Sequence, residues 1–245
     1  RRQLQAFMGH ADKRRISAWL KDLRQKQYID WIYDPTNPGD MSKPAIYFLG
    51  TNGIRLLRQA GAYCEAELKK RYKDASRQPS YIASCLLLVG CCLHLEGRNQ
   101  SMQNATYSYA VKADMAEPDS TYHYLRESDL APDLAFIKQV PDEDPATYLL
   151  QLLDLTTPRY MVKSRIRGYV DFLGSGEWNQ PETGAEPPIV LVACPSLPEL
   201  IFAKRYAKKR LKELDLEDSQ NLRVRFAIIE QVKKQGLTAI IWEQA

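Results

Sequence analysis

The run Ile189-Val190-Leu191-Val192-Ala193-Cys194 is six consecutive apolar residues rich in β-branched side chains. A strand of that kind has no polar face, so it must be covered on both sides, as the inner strands of an α/β sheet are. The flanking residues agree. A helix is expected at 197–214 after this strand, and another from Pro158 to 173 before it. Around them, strands are expected at 107–111, 134–140, 148–155, 222–229 and 237–242, with a buried helix at 80–95. One helix, three strands, a helix, a strand, a helix and further strands describe a mixed sheet with helices on both faces. Pro79 marks the start of this α/β domain, 79–245, and leaves residues 1–78 as a first domain.

The 245 residues suffice for two such units. The run 82–95 is the most apolar in the chain. It carries Ser84, Gly90 and His94 and falls short of the ~20 residues of a membrane span, so a core helix and no membrane partner are expected. No basic-then-apolar leader follows Arg1-Arg2. The five cysteines show no C-x-x-C spacing and the three histidines are scattered, which fits small core residues in a reducing compartment, the cytoplasm, and argues against a zinc-thiolate site.

Charge is unevenly spread. Residues 1–78 hold 16 Lys/Arg against 8 Asp/Glu, a net +8; residues 79–157 hold 4 against 11, a net −7; residues 158–245 hold 14 against 11, a net +3. A basic first domain implies a polyanionic partner, with double-stranded DNA the leading candidate. Its order of elements gives the detail. A short helix at 4–8 precedes a helix at 11–26, where Ile16, Leu20 and Leu23 form the core side while Lys13, Arg14, Ser17, Lys21 and Arg24 lie elsewhere on its surface. Small and basic side chains together are what a helix in a major groove presents; an ordinary solvated stripe is the alternative. Strand-like stretches at 28–33 and 45–49 enclose a loop punctuated by Pro35, Pro38 and Gly39, and a long helical stretch is expected at 51–77. That order is a winged helix-turn-helix. In the loop only Lys43 is basic, beside Asp34 and Asp40, so the wing would contribute little to phosphate binding. The stretch from Thr51 could instead pair two protomers into a homodimer.

Two aspartates stand apart from the surface acids. Asp133 follows Pro132 immediately before the strand at 134–140, and Asp154 falls near the end of the strand at 148–155. Where those strands are neighbours, the carboxylates can converge at one sheet edge and hold Mg²⁺ for phosphodiester hydrolysis. On the following helix Arg159, Lys163 and Arg167 recur every four residues, a stripe suited to a phosphate backbone, with Lys163 as the electrophilic partner of a nuclease site. The alternative is that both aspartates cap turns or a helix and the stripe is solvated.

The pattern Ile16-x-x-x-Leu20-x-x-Leu23-x-x-x-x-Tyr28-Ile29, then Ile46-Tyr47-Phe48-Leu49, Asn52-Gly53, Pro132-Asp133, Leu152-Leu153-Asp154-Leu155-Thr156 and Lys163 to Tyr169 resembles the replication-relaxation family. The resemblance covers nearly the whole chain through short motifs. It implies a winged helix joined to a domain with the PD-(D/E)XK, restriction-endonuclease-like fold, in a protein of bacterial plasmids and other mobile elements. The partners implied are DNA and the replication, transfer or transposition proteins of the same element. The chain departs from the family pattern where the strand would end in acid-x-Asp followed by Arg-Gly-Thr. Leu152 stands in place of the acid, and Leu155 joins Asp154 directly to Thr156. No lysine follows an acid by two residues on that strand, and Gln151 is left as a further candidate ligand. A degenerate nuclease-like domain that binds DNA or partners is therefore expected at least as much as an active Mg²⁺-dependent nicking enzyme; a transcriptional regulator is the third reading.

Overall fold

In a computed structural model, the structure describes residues 1–33, 36, 44–61, 63–101, 104–117, 120–122, 124–125, 130–178, 186–216 and 223–245. The expected wing loop, with Lys43, Asp34 and Asp40, lies outside them. The chain is mixed α/β and divides into two compact units, Arg1–Ile82 and Ala83–Ala245.

In the first unit, helices α1 (Arg2–Phe7) and α2 (Lys13–Gln25) are followed by the antiparallel strands β1 (Ile29–Ile32) and β2 (Ile46–Leu49), then α3 (Thr51–Gln59) and α4 (Glu65–Arg71). Helix α2 starts where Asp12 accepts a hydrogen bond from the Arg14 N–H at 2.8 Å, satisfying one of the free donors of the first turn. Ile16 and Leu20 bury its inner side, at 3% and 5% exposure. The end of α2 is latched to the start of α3: Asn52 donates through its amide to the Lys26 carbonyl at 3.0 Å and through its backbone to Gln27. Gly53 makes the approach possible, since a Cβ there would sit 2.1 Å from the Tyr28 carbonyl oxygen. The single long helix expected at 51–77 is two short ones. Gly61, at φ +63°, adopts the left-handed turn that closes α3, and Glu65 begins α4.

Helix α5 (Pro79–Gln100) crosses the boundary between the units. The second unit is a six-stranded sheet in the order β3 (Thr106–Val111), β4 (Leu134–Gln139), β5 (Ala146–Leu152), β6 (Ile189–Cys194), β7 (Val224–Ile228), β8 (Glu243–Gln244). Neighbouring pairs run antiparallel, antiparallel, parallel, parallel and antiparallel. Helices α6 (Arg159–Ser175) and α7 (Leu197–Glu213) make the β5–β6 and β6–β7 crossovers and pack with Ala135, Leu149, Val190, Val192, Val224 and Phe226 on one face. The other face carries α5 and α8 (Ile229–Gln235). All six residues of β6 are buried, as a strand covered on both sides requires.

Three expectations need correction. The helix expected to be buried is longer than the apolar run and covered on one side only. Leu87, Cys91 and Leu95 pack on the sheet, whereas Leu86 and Val89 are 36% and 44% exposed. By length and composition alone α5 would reach across a bilayer, but its inner side is tied to the sheet. Asn99 brackets Tyr107 on the edge strand, donating to its carbonyl at 2.8 Å and accepting from its N–H at 2.7 Å, and Tyr109 donates to Glu96. These bonds close the β3 edge that a further strand could otherwise extend. Residues 237–242 form no strand: Gly236, at φ +89°, ends α8 and turns the chain, and pairing resumes at Glu243. The strand expected at 222–229 ends at Ile228, and Ile229 opens α8, which runs through residues 230–235 for which no element was expected.

Candidate functional site

On α2, Lys13, Arg14 and Lys21 are exposed side by side with Ser17, whose hydroxyl donates to the Lys13 carbonyl at 2.8 Å and so presents no free polar hydrogen outward. Arg24 differs from its neighbours. Its Nε meets Asp30 at 3.2 Å and its guanidinium lies 4.0 Å from the Trp31 ring centroid, so it links α2 to β1 while remaining partly exposed. Arg15, which the sequence pattern did not single out, lies over Trp19 at 4.9 Å, and the His10 ring meets that indole edge to face at 4.8 Å.

In the second unit β4 and β5 are antiparallel neighbours with Leu134 opposite Leu150, which puts Asp133 beside Gln151 at the end of β5. The same end of the sheet receives the carboxyl ends of β5, β6 and β7, where open α/β sheets bind ligands. Asp133 is held by two donors on one oxygen: the Leu152 N–H at 2.7 Å and the Gln151 side-chain amide at 2.8 Å. Burial pushes its carboxyl above the usual range, and the hydrogen bond from Leu152 and the charge of Arg165 offset only part of that. Gln151 is itself buried, at 6% exposure, and its carbonyl oxygen accepts from the Tyr169 hydroxyl at 3.2 Å. Burial, and then the Asp133 charge, drive the Tyr169 phenol strongly upward, so it stays a donor.

Asp154 lies two residues beyond β5 rather than on it. Its Oδ1 accepts from the Thr156 N–H and hydroxyl at 2.8 and 2.7 Å and from the Thr157 hydroxyl at 3.0 Å. Burial acts to raise this carboxyl, but the threonine hydrogen bonds outweigh it and hold it below the usual range. Asp154 thus organises the turn that leads into α6. The topology brings both aspartates to one end of the sheet, and the hydrogen bonds give each a separate role.

One oxygen of each aspartate is engaged within the chain: Asp133 Oδ2 faces an amide NH₂ and a backbone N–H, and Asp154 Oδ1 accepts from three donors of its own turn, whereas Mg²⁺ takes oxygen ligands. Among the described residues no group of three or more His, Cys, Asp or Glu is arranged to hold a metal. Lys163 is turned elsewhere: its ammonium lies 5.8 and 5.7 Å from the ring centroids of Phe202 and Tyr206 on α7. Arg159 covers Phe202 at 4.9 Å, and Arg167 donates to the Tyr206 hydroxyl at 3.4 Å. The three cations form an exposed ridge along α6 and α7 interleaved with aromatic rings. The cations that act on Asp133 are instead Arg165, whose guanidinium reaches the Leu152 carbonyl at 3.5 Å, and Lys112. Sequence reading missed Arg165 and Tyr169; each is spaced from a core position of α6 so as to face the β5 end, a signal visible only once the strand order is known. Comparison of the chain with protein-family models, with curated proteins and with solved structures returned no match.

Proposed function

We propose that the protein binds double-stranded DNA through the exposed side of α2, in a winged-helix arrangement, and that its second unit is a nuclease-like domain without hydrolytic activity that adds phosphate-binding charge. The observation that carries the reading is the surface of α2, where Lys13, Arg14 and Lys21 are exposed beside the small Ser17 while Ile16 and Leu20 anchor the opposite flank. Such a helix lets long cations reach phosphates and guanine edges as the backbone approaches the groove. The order helix, helix, strand, strand, helix supports it. The ridge of Arg159, Lys163 and Arg167 supplies further sequence-independent charge.

The αβββαβ order of α5 to β6, with Asp133 at the head of β4, supports a nuclease-like ancestry, and Gln151 opposite Asp133 supports loss of the metal. A role in the replication, transfer or transposition of a mobile element, with proteins of that element as partners, follows from the resemblance of the motifs. The test is fluorescence anisotropy with a labelled duplex across a salt series. Binding should weaken steeply with salt, and Lys13→Ala, Arg14→Ala and Lys21→Ala combined should reduce the slope of log K against log salt by roughly 0.9 for each phosphate that is no longer neutralised. Unchanged affinity and slope in the triple variant would overturn the assignment. Incubation of supercoiled plasmid with Mg²⁺ should leave it unnicked; nicking abolished by Asp133→Ala would restore the hydrolytic reading.

A further inference from the structure

The sheet face that carries α5 and α8 holds a cleft at the end of the strands remote from Asp133. Its floor is aromatic. Tyr107, Phe136 and Tyr148 sit on β3, β4 and β5, with Phe136 and Tyr148 stacked at 4.6 Å and 3° and Tyr107 at 6.4 Å from Phe136. Trp242 forms a wall, its indole fixed by donation to the Leu237 carbonyl at 2.9 Å. Two cations enter the same space. Lys138 stands opposite Tyr107 in the β3–β4 register, and Arg225 stands opposite Leu191 across β6–β7. Among the described residues no carboxylate lines the cleft, and the buried Nε of Arg225 makes no hydrogen bond to another of them.

With no carboxylate beside them among the described residues, the charges of Lys138 and Arg225 favour an anion in the cleft. The aromatic floor selects a flat π-system, and every nucleobase has such a face. The cleft encloses about 200 Å³. That is below the ~300 Å³ at which pockets begin to bury drug-sized molecules, and it admits one ring system rather than an extended ligand.

Tyr107 and Phe136 are buried, at 7% and 2% exposure, so the rings open to a ligand are Tyr148 and Trp242. We propose that this cleft binds a single nucleotide unit, its base against Tyr148 and Trp242 and its phosphate held by Arg225 and Lys138. The unit comes either from a free nucleotide or from a residue of single-stranded DNA. The cleft belongs to the second unit and α2 to the first, so the proposal stands or falls independently of duplex binding.

The test is calorimetric titration of the full chain with dTMP and dAMP, with a short oligothymidylate, and with thymidine and inorganic phosphate as half-ligands. Saturable binding of the mononucleotides, with both half-ligands weaker by about tenfold or more, assigns a free nucleotide. Binding of the oligonucleotide alone assigns single-stranded DNA. In either case Arg225→Gln and Lys138→Gln should each weaken binding by about tenfold, the worth of one charge-assisted hydrogen bond. The α2 triple variant should bind the same ligand as wild type. Two variants are used because Arg225 lies within the sheet; Lys138→Gln reports even where Arg225→Gln disturbs folding. Absence of binding by mononucleotide and oligonucleotide at about 10 mM, or binding that neither variant weakens, would overturn the proposal.

Discussion

Replacing Gln151 by Leu separates a structural polar network from a degenerate cofactor site that has no structural role. The amide of Gln151 donates to Asp133 at 2.8 Å and to the Leu152 carbonyl at 3.2 Å, and accepts from Tyr169 at 3.2 Å. In the leucine variant the Tyr169 hydroxyl, on a side chain 2% exposed, loses its acceptor, at a cost of about 1–3 kcal/mol. Asp133 loses one of the two donors on its Oδ2, about 1.5–3 kcal/mol for a bond to a charged group. Extra apolar burial returns about 1 kcal/mol. The net expectation is a loss of about 1.5–5 kcal/mol. Removing the hydroxyl as well, in Gln151→Leu with Tyr169→Phe, eliminates the orphaned donor, so the double variant should cost less than the sum of the singles, with a coupling of about 1–3 kcal/mol. Native-state hydrogen exchange of the peptide covering β5 reads this unit separately from the first. A Gln151→Leu variant within ~0.5 kcal/mol of wild type, or strict additivity with Tyr169→Phe, would refute the network.

Asp133→Asn tests the titration. The folded-state carboxyl is raised, so its contribution to stability is complete at pH values below the unfolded carboxylate range and is lost as pH rises through the folded value. Wild type should therefore lose ground to the Asn variant between acidic and neutral pH in parallel urea titrations, and a constant difference would contradict the sign. Gln151→Glu places a second carboxyl against Asp133, and like charges there must share a proton. That variant should be less stable at neutral than at acidic pH and should gain a Mg²⁺-dependent rise in melting temperature that wild type lacks; a variant indifferent to Mg²⁺ would mean the surroundings cannot form a cation site at all. Gly236→Ala should destabilise by at least about 1–3 kcal/mol, because its Cβ would meet the His94 ring at 2.3 Å and its φ of +89° strains any side chain. Thermal unfolding of that variant and of Gly236→Ala with His94→Ala separates the two causes: partial recovery in the double variant identifies the clash.

The readable parts of this chain were those where one physical requirement dominates. A six-residue apolar run rich in β-branched side chains and set between two helical patterns fits an inner strand, and β6 is one. Asp12 ahead of an Ile16–Leu20 spacing marks a helix start, and α2 begins one residue later. What misled was hydrophobicity with two possible causes. The α5 residues Leu86 and Val89 are as apolar as Leu87 and Cys91, but only the latter pair meets the sheet, and composition cannot tell which side of a uniformly apolar helix will be covered. In the same way residues 237–242 have the β-branched and aromatic composition of a strand, although Leu237 is buried in the cluster that includes α5 and α8 residues while Ile240 is fully exposed, because a turn set by Gly236 and not a pleat distributes them. The candidate site shows the same division. Asp133 and Asp154 could be picked out by their positions relative to strands, whereas their roles depend on which donors the fold aims at them. Gln151 decides the first case: a neutral amide donates to Asp133 Oδ2 from within the chain, a contact that follows from the β4–β5 register and that no spacing along the sequence announces.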